Sequence, residues 1–177
     1  TVYHGKWHLG GEISRYGFEK AEECSHDATT VQLAGRYYRD RDWLNHKRPF
    51  FHVVSLLNPH DVYFLEPGKT LEPTLPRWPN QGDDLSVKPW PQSTSASDDR
   101  WTDERLEYYR RFYADKVEKV DAQIVELLDE LTCGGFASNT VVIFTSDHGD
   151  MAGEHGIGFK GPYLYDGVTR VPMVIAP

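Results

Sequence analysis

The sequence predicts an α/β fold, a mostly parallel sheet flanked by helices, and three observations carry that reading. Residues 140–145 (Thr-Val-Val-Ile-Phe-Thr) are β-branched and apolar without alternation, the composition of a central strand buried on both faces. In residues 103–131, Leu106, Tyr109, Tyr113, Val117, Val120, Ile124, Leu127 and Leu131 recur at spacings of three and four, the stripe of an amphipathic helix. Only residues 134–139 join that helix to that strand, which predicts a right-handed crossover onto a parallel sheet.

Taken in order, Thr1-Val2-Tyr3 reads as the end of a strand that runs into Gly5-Lys6-Trp7-His8. With a side-chain period of two, Lys6 and His8 share one face and Trp7 takes the other, so two cationic or protonatable groups can face one anion. A solvated lysine and a structural histidine fit the same residues. Residues 12–26 are mixed, with a turn at Tyr16-Gly17-Phe18, and 27–38 read as a helix capped near Asp27 or Thr30. Residues 39–48 are charged and polar, a solvated helix end and loop, before a strand at 49–57. Asn58-Pro59-His60-Asp61 closes that strand, so His60 is either a site residue at a strand exit or an exposed member of an Asn-Pro turn.

From residue 64 to 101 the composition changes, with six of the eleven prolines, few aliphatics, and tryptophans at 78, 90 and 101. Such a stretch reads as neither a central strand nor a helix, and a connection this long is expected to be a loop over a site. Its aromatic rings can stack on a sugar or aryl group, or pin the loop to the body of the protein. Thr102 caps the long helix, Asp103 and Glu104 suit the positive end of its dipole, and Gly134 or Gly135 ends it. Residues 171–176 form the last strand.

Bulk properties narrow the function classes. The 177 residues suffice for one domain with its own core, no stretch is long and apolar enough to span a membrane, and a net charge of −8 without a basic cluster argues against a nucleic-acid partner. Any anion site must therefore be a local arrangement of lysine, histidine and metal. Cys24 and Cys133 are too few for a disulfide scaffold and read as free thiols.

The strand at 140–145 stops at Asp147 and His148, a carboxylate and an imidazole at a strand's carboxyl end, where loops of open α/β sheets converge on ligands. Both can ligate a divalent ion. Lys160 lies between Gly158 and Gly161, which let the backbone bring an ammonium close to an anion, although an ordinary loop lysine reads the same. His155 and Asp150 read as loop and turn residues rather than metal ligands.

Residues 145–149 (Thr-Ser-Asp-His-Gly), Gly153-Glu154-His155-Gly156, Lys160 and Val171-Pro172 together resemble the type I, formylglycine-dependent sulfatases of the alkaline-phosphatase-like superfamily. Residues 5–10 (Gly-Lys-Trp-His-Leu-Gly) are similar to a second signature of that family, and the 49–61 stretch to a third. The resemblance implies an alkaline-phosphatase-like core, a single partial catalytic domain over 1–177 truncated at both ends, with its proline-rich loop at about 64–101. It implies further that Lys6 and Lys160 bind sulfate oxygens, His8 assists the formylglycine, His60 contacts the substrate and protonates the leaving alcohol, and Asp147 and His148 hold a divalent metal.

On the same resemblance a formylglycine hydrate attacks sulfur, the metal is Ca²⁺ with Mn²⁺ or Mg²⁺ as alternatives, and the substrate is a sulfated small molecule or carbohydrate. The formylglycine is made from Cys or Ser in the pattern Cys/Ser-x-Pro/Ala-x-Arg, which occurs nowhere in the chain. It is expected upstream together with two acidic ligands, so the chain alone is expected to be inactive. Two other readings stand beside the sulfatase: a phosphate or phosphonate ester hydrolase of the same superfamily, and a non-catalytic anion-binding fragment or pseudoenzyme.

Overall fold

Val2, Tyr3, His4 and Gly5, all buried, form β1 (Val2–Gly5), the middle of a three-stranded parallel sheet in the order β2-β1-β3. On one side β1 pairs with β2 (Lys20–Glu23), Val2 opposite Lys20, and on the other with β3 (His52–Ser55), Val2 opposite His52. The computed structural model describes residues 1–40, 49–65, 75–96 and 98–177, which cluster into two compact units. The first comprises Thr1–His60 and Val117–Thr140, the second Asp61–Lys116 and Val141–Pro177. The end-of-helix loop expected at 39–48 lies mostly outside the described residues.

In the first unit, helix α1 (Asp27–Arg39) lies against β1 and β3 and buries Thr30, Val31, Ala34, Tyr37 and Tyr38. β2 escaped the sequence reading because its Lys-Ala-Glu-Glu is exposed throughout and carries no apolar alternation. Asp27 does more than begin a helix. Its buried carboxylate accepts the backbone N–H of Leu57, the N–H of Asn58 at 3.1 Å and the Asn58 side-chain amide at 2.8 Å, which ties the exit of β3 to the start of α1.

Polar groups also occupy the sheet itself. His4 Nδ1 and His52 Nε2 stand 3.0 Å apart on neighbouring strands, inside an aromatic cluster with Tyr37 and Tyr38. Such a bond needs one donor and one lone pair, so at least one ring is neutral. Burial, reinforced by His4, pushes the His52 imidazole down to about 3.

The long helix α3 (Asp103–Cys133) follows the expected span within two residues. Thr102 Oγ1 accepts the Arg105 N–H at 3.2 Å, as a cap should, and the helix closes through Phe136 N–H to Leu131 O at 3.1 Å and Gly135 N–H to Thr132 O at 2.9 Å. Leu106, Tyr109 and Leu131 of the stripe are buried, while Val117 is 45% exposed. Within the proline-rich stretch a short helix, α2 (Gln92–Ala96), forms where the sequence excluded one; residues 66–74 of that stretch lie outside the described residues.

The strand at the motif needs the largest correction. β4 (Val142–Thr145) is where the sequence places it, but it pairs antiparallel with β5 (Met173–Ala176), Val142 opposite Ala176, and is neither central nor buried. Ile143 is 58% exposed and Ile175 60%. Apolar composition marks a strand; it names neither the partner nor the direction, and the crossover inferred from helix-strand order does not form a parallel ladder here.

Two outcomes follow for the first unit. The unfolded His52 imidazole titrates near 6.5 and the folded one near 3, so unfolded chain takes up the proton first. Stability from this group is complete above about pH 6.5 and is lost as pH falls from there toward about 3; the thermal midpoint should decline across that window, and a flat midpoint would refute the account. Asp27→Ala should cost about 2–4 kcal/mol, because it strands buried donors rather than one solvated bond. A urea midpoint unchanged from wild type would show that the carboxylate is dispensable.

Candidate functional site

β4 delivers the chain to a turn built by its own polar atoms. Ser146 Oγ donates to His148 O at 2.7 Å, and Asp147 Oδ1 accepts the His148 N–H at 3.0 Å. Gly149 N–H then donates to Val168 O at 2.7 Å, and a Cβ at Gly149 would stand 2.1 Å from Gly167 O. Only glycine allows that approach.

His148 is held in one tautomer. Its Nδ1 lies 2.8 Å from Gly149 O, a carbonyl that can only accept, so Nδ1 carries the proton and Nε2 presents a lone pair. Lys160 Nζ reaches that Nε2 at 3.0 Å, and Asp147 Oδ2 lies 3.7 Å from it. Of the sequence-predicted site residues in the second unit, the structure thus brings Asp147, His148 and Lys160 together. The other three belong to the first unit.

The flexible-glycine expectation holds on one side of Lys160, where Gly161 has a left-handed φ of +50°. On the other side Phe159, not Gly158, takes that region, with a φ of +63°. Gly158 instead makes room: a Cβ there would lie 2.2 Å from the Trp101 ring. Phe159 is enclosed by Tyr63, stacked at 4.2 Å and 8°, by Trp101 edge-on at 5.0 Å and by Tyr109 edge-on at 5.6 Å.

Asp150 has partners other than the metal-capable pair. Its carboxylate accepts Tyr109 Oη–H at 2.8 Å and the Ala152 N–H at 2.8 Å. Burial raises its pKa, opposed by those two hydrogen bonds and by His148 and Lys160. The Tyr109 hydroxyl is pushed strongly up by burial and by the Asp150 charge, so it remains a donor. Sequence reasoning placed Tyr109 on the buried stripe but had no signal for its hydroxyl partner, which lies 41 residues away.

The tryptophans of the proline-rich stretch resolve into different roles. Trp78 Nε1 donates to Ala152 O at 3.0 Å, Trp101 is packed against Phe159, and Trp90 is 79% exposed. His155, also in a left-handed conformation, places Nδ1 2.8 Å from Asp83 and its ring 4.4 Å from Tyr165. It is a loop residue, as expected, with a specific task of fastening the proline-rich stretch.

In the first unit, Lys6 and His8 lie past the end of β1. Lys6 N–H donates to Ser55 O at 2.9 Å and its carbonyl accepts the Tyr3 hydroxyl, while its side chain is half-buried. His8 is exposed, and Trp7 between them packs on Tyr3 at 5.3 Å and on Tyr16 at 4.9 Å. His60 opens a short 3-10 helix (His60–Phe64), its N–H donating to Leu57 O at 3.2 Å directly after the turn that Asp27 organises.

Asp147 and His148 suit a cation as a pair, since an oxygen and an unprotonated nitrogen 3.7 Å apart match neighbouring ligands on one ion. They supply two ligands. Among the described residues no group of three or more His, Cys, Asp or Glu side chains is disposed to hold a metal, and no helix is long and apolar enough to cross a membrane. Cys24 and Cys133 are both free.

Comparison with known proteins bears on the family and the fold. A solved 2-O GAG sulfatase superposes with a TM-score of 0.80 at 23% identity, over 99% of this chain and 43% of that one. BT4656, solved in complex with its substrate D-glucosamine-2-N,6-O-disulfate, gives 0.73 at 19% identity, over 98% of this chain and 52% of its own. By sequence the chain is 35% identical to the uncharacterized sulfatase YidJ of Escherichia coli over 99% of its length, and 32% identical to the choline-sulfatase of Rhizobium meliloti over 73%. It spans 44% and 27% of those two relatives. The sulfatase family model matches residues 12–177, and the chain belongs to the sulfatase family, with its alkaline-phosphatase-like α/β fold.

Proposed function

We propose that residues 1–177 are part of one sulfatase catalytic domain whose full polypeptide hydrolyses a sulfate ester of a small molecule or carbohydrate. The observation that carries this is the approach of Lys160 Nζ to within 3.0 Å of His148 Nε2, beside Asp147, in a chain of the sulfatase family. Two cationic or metal-binding groups held at that distance are arranged for an anion. The ammonium donates to the Nε2 lone pair, which keeps it in that place.

In this reading Lys160 and Lys6 hold the non-bridging sulfate oxygens, and the charge they supply matters most when negative charge builds on the transferring group. His8 assists the formylglycine. His60 gives its proton to the departing alcohol oxygen, at the exit of β3 where Asp27 fixes the preceding turn. The proline-rich stretch, fastened through Trp78 and His155, forms a wall of the site and carries substrate preference, with Trp90 free to meet a ring.

Asp147 and His148 hold the divalent ion, Ca²⁺ in first place, with Mn²⁺ or Mg²⁺ as alternatives because His148 offers nitrogen. When bound, such an ion adds positive charge against the sulfate oxygens. The formylglycine, on a segment upstream of Thr1, supplies the nucleophile.

Peptide mass spectrometry on the native polypeptide should find a Cys or Ser converted to formylglycine upstream of Thr1, and an unmodified Thr or Ser in that place would turn the reading toward phosphoryl transfer. The 177-residue chain by itself should show no turnover above its His148→Ala control. In the native polypeptide, His60→Ala should lower kcat by about 10²–10⁴-fold for alkyl sulfates and far less for aryl sulfates with good leaving groups. Equal losses on both substrates would remove His60 from the acid's role.

A further inference from the structure

Lys160 has no neighbour in the sequence that explains where its ammonium goes. The backbone before it turns through the left-handed region at Phe159, a conformation that disfavours a bulky L-residue and persists only where surroundings enforce it. Those surroundings are aromatic, and one of them touches both Phe159 and Lys160.

That residue is Tyr63, in the His60–Phe64 turn and 37% exposed. Its ring lies parallel to Phe159 at 4.2 Å. The Lys160 ammonium stands 5.9 Å from the ring centroid. Tyr63 therefore contacts both the strained residue and the charge of the residue that follows it. Trp101 and Tyr109 also enclose Phe159, but no contact of either with Lys160 is seen among the described residues.

We propose that Tyr63 is a positioning residue for Lys160: its ring, stacked on Phe159 and standing next to the ammonium, holds that ammonium against His148, where it binds a tetrahedral oxyanion. The oxyanion-binding half of this statement rests on the sulfatase reading above; the positioning half rests on geometry alone. The phenol performs no chemistry on the substrate. It fixes the direction from which Lys160 approaches, a constraint that matters because a displacement of about 1 Å in a positioned charge suffices to weaken catalysis by roughly 10²-fold.

Tyr63→Phe retains the ring and its stack, and Tyr63→Leu removes both. Inorganic sulfate binding by calorimetry on the native polypeptide, and the position of Lys160 in a crystal structure of Tyr63→Leu, distinguish the two halves of the proposal.

Sulfate affinity of the native polypeptide should weaken several-fold in Tyr63→Leu, stay near wild type in Tyr63→Phe, and be lost in Lys160→Met. In the Tyr63→Leu crystal structure the Lys160 Nζ to His148 Nε2 separation, 3.0 Å here, should lengthen. An unmoved Lys160, or wild-type sulfate affinity in a folded Tyr63→Leu, overturns the positioning role, and so does a Tyr63→Phe as weak as Tyr63→Leu. A wild-type polypeptide that does not bind sulfate would overturn the oxyanion half and the sulfatase reading behind it, while the place of Lys160 in Tyr63→Leu would still decide what holds it.

Discussion

The second unit depends on a half-buried carboxylate held by two hydrogen bonds. Asp150 is fixed by one phenol and one backbone N–H, from Tyr109 and Ala152, and both bonds are 2.8 Å. A carboxylate withdrawn from water needs such donors, so these bonds favour the path of the loop after His148 that brings Asp150 to the long helix. Everything between Gly149 and Lys160 hangs from that point: the turn through Ala152 that receives Trp78, the His155 clasp, and the return to Phe159, whose carbonyl accepts the Met151 N–H at 3.2 Å.

The first unit uses the same device at a different strand exit. Asp27 satisfies three donors of the Leu57–Asn58 turn, and the histidine that follows inherits its position from that turn. In both units a carboxylate that does no chemistry on a substrate fixes the loop on which a candidate chemical residue sits. Regular elements set the frame, and single acids set the loops.

What was legible in the sequence follows this division. Periodicity found α1 and α3 within a residue or two because each helix buries a stripe of its own side chains. Composition found β3, β4 and β5, and motif spacing found Asp147, His148 and Lys160 in their family context. Partners were not legible. β4 pairs antiparallel with β5 rather than joining a parallel sheet, since a run of valine and isoleucine fits either ladder. β2 was missed because an exposed edge strand of charged residues lacks a hydrophobic signal. Asp27 read only as a helix cap and Tyr63 was not singled out, because each acts through atoms 30 or more residues away.

Phe159 sets opposed demands on one position. Its backbone conformation is the one glycine adopts without cost, and its ring fills a box of three aromatic neighbours that glycine would leave empty. Glycine relieves the torsion and opens a void, a branched aliphatic worsens the torsion, and alanine fails on both counts. Mutational tolerance should therefore be narrowest at this residue, where no single side chain in the natural alphabet satisfies backbone and packing together, and sequence drift there requires a compensating change at Tyr63 or Trp101.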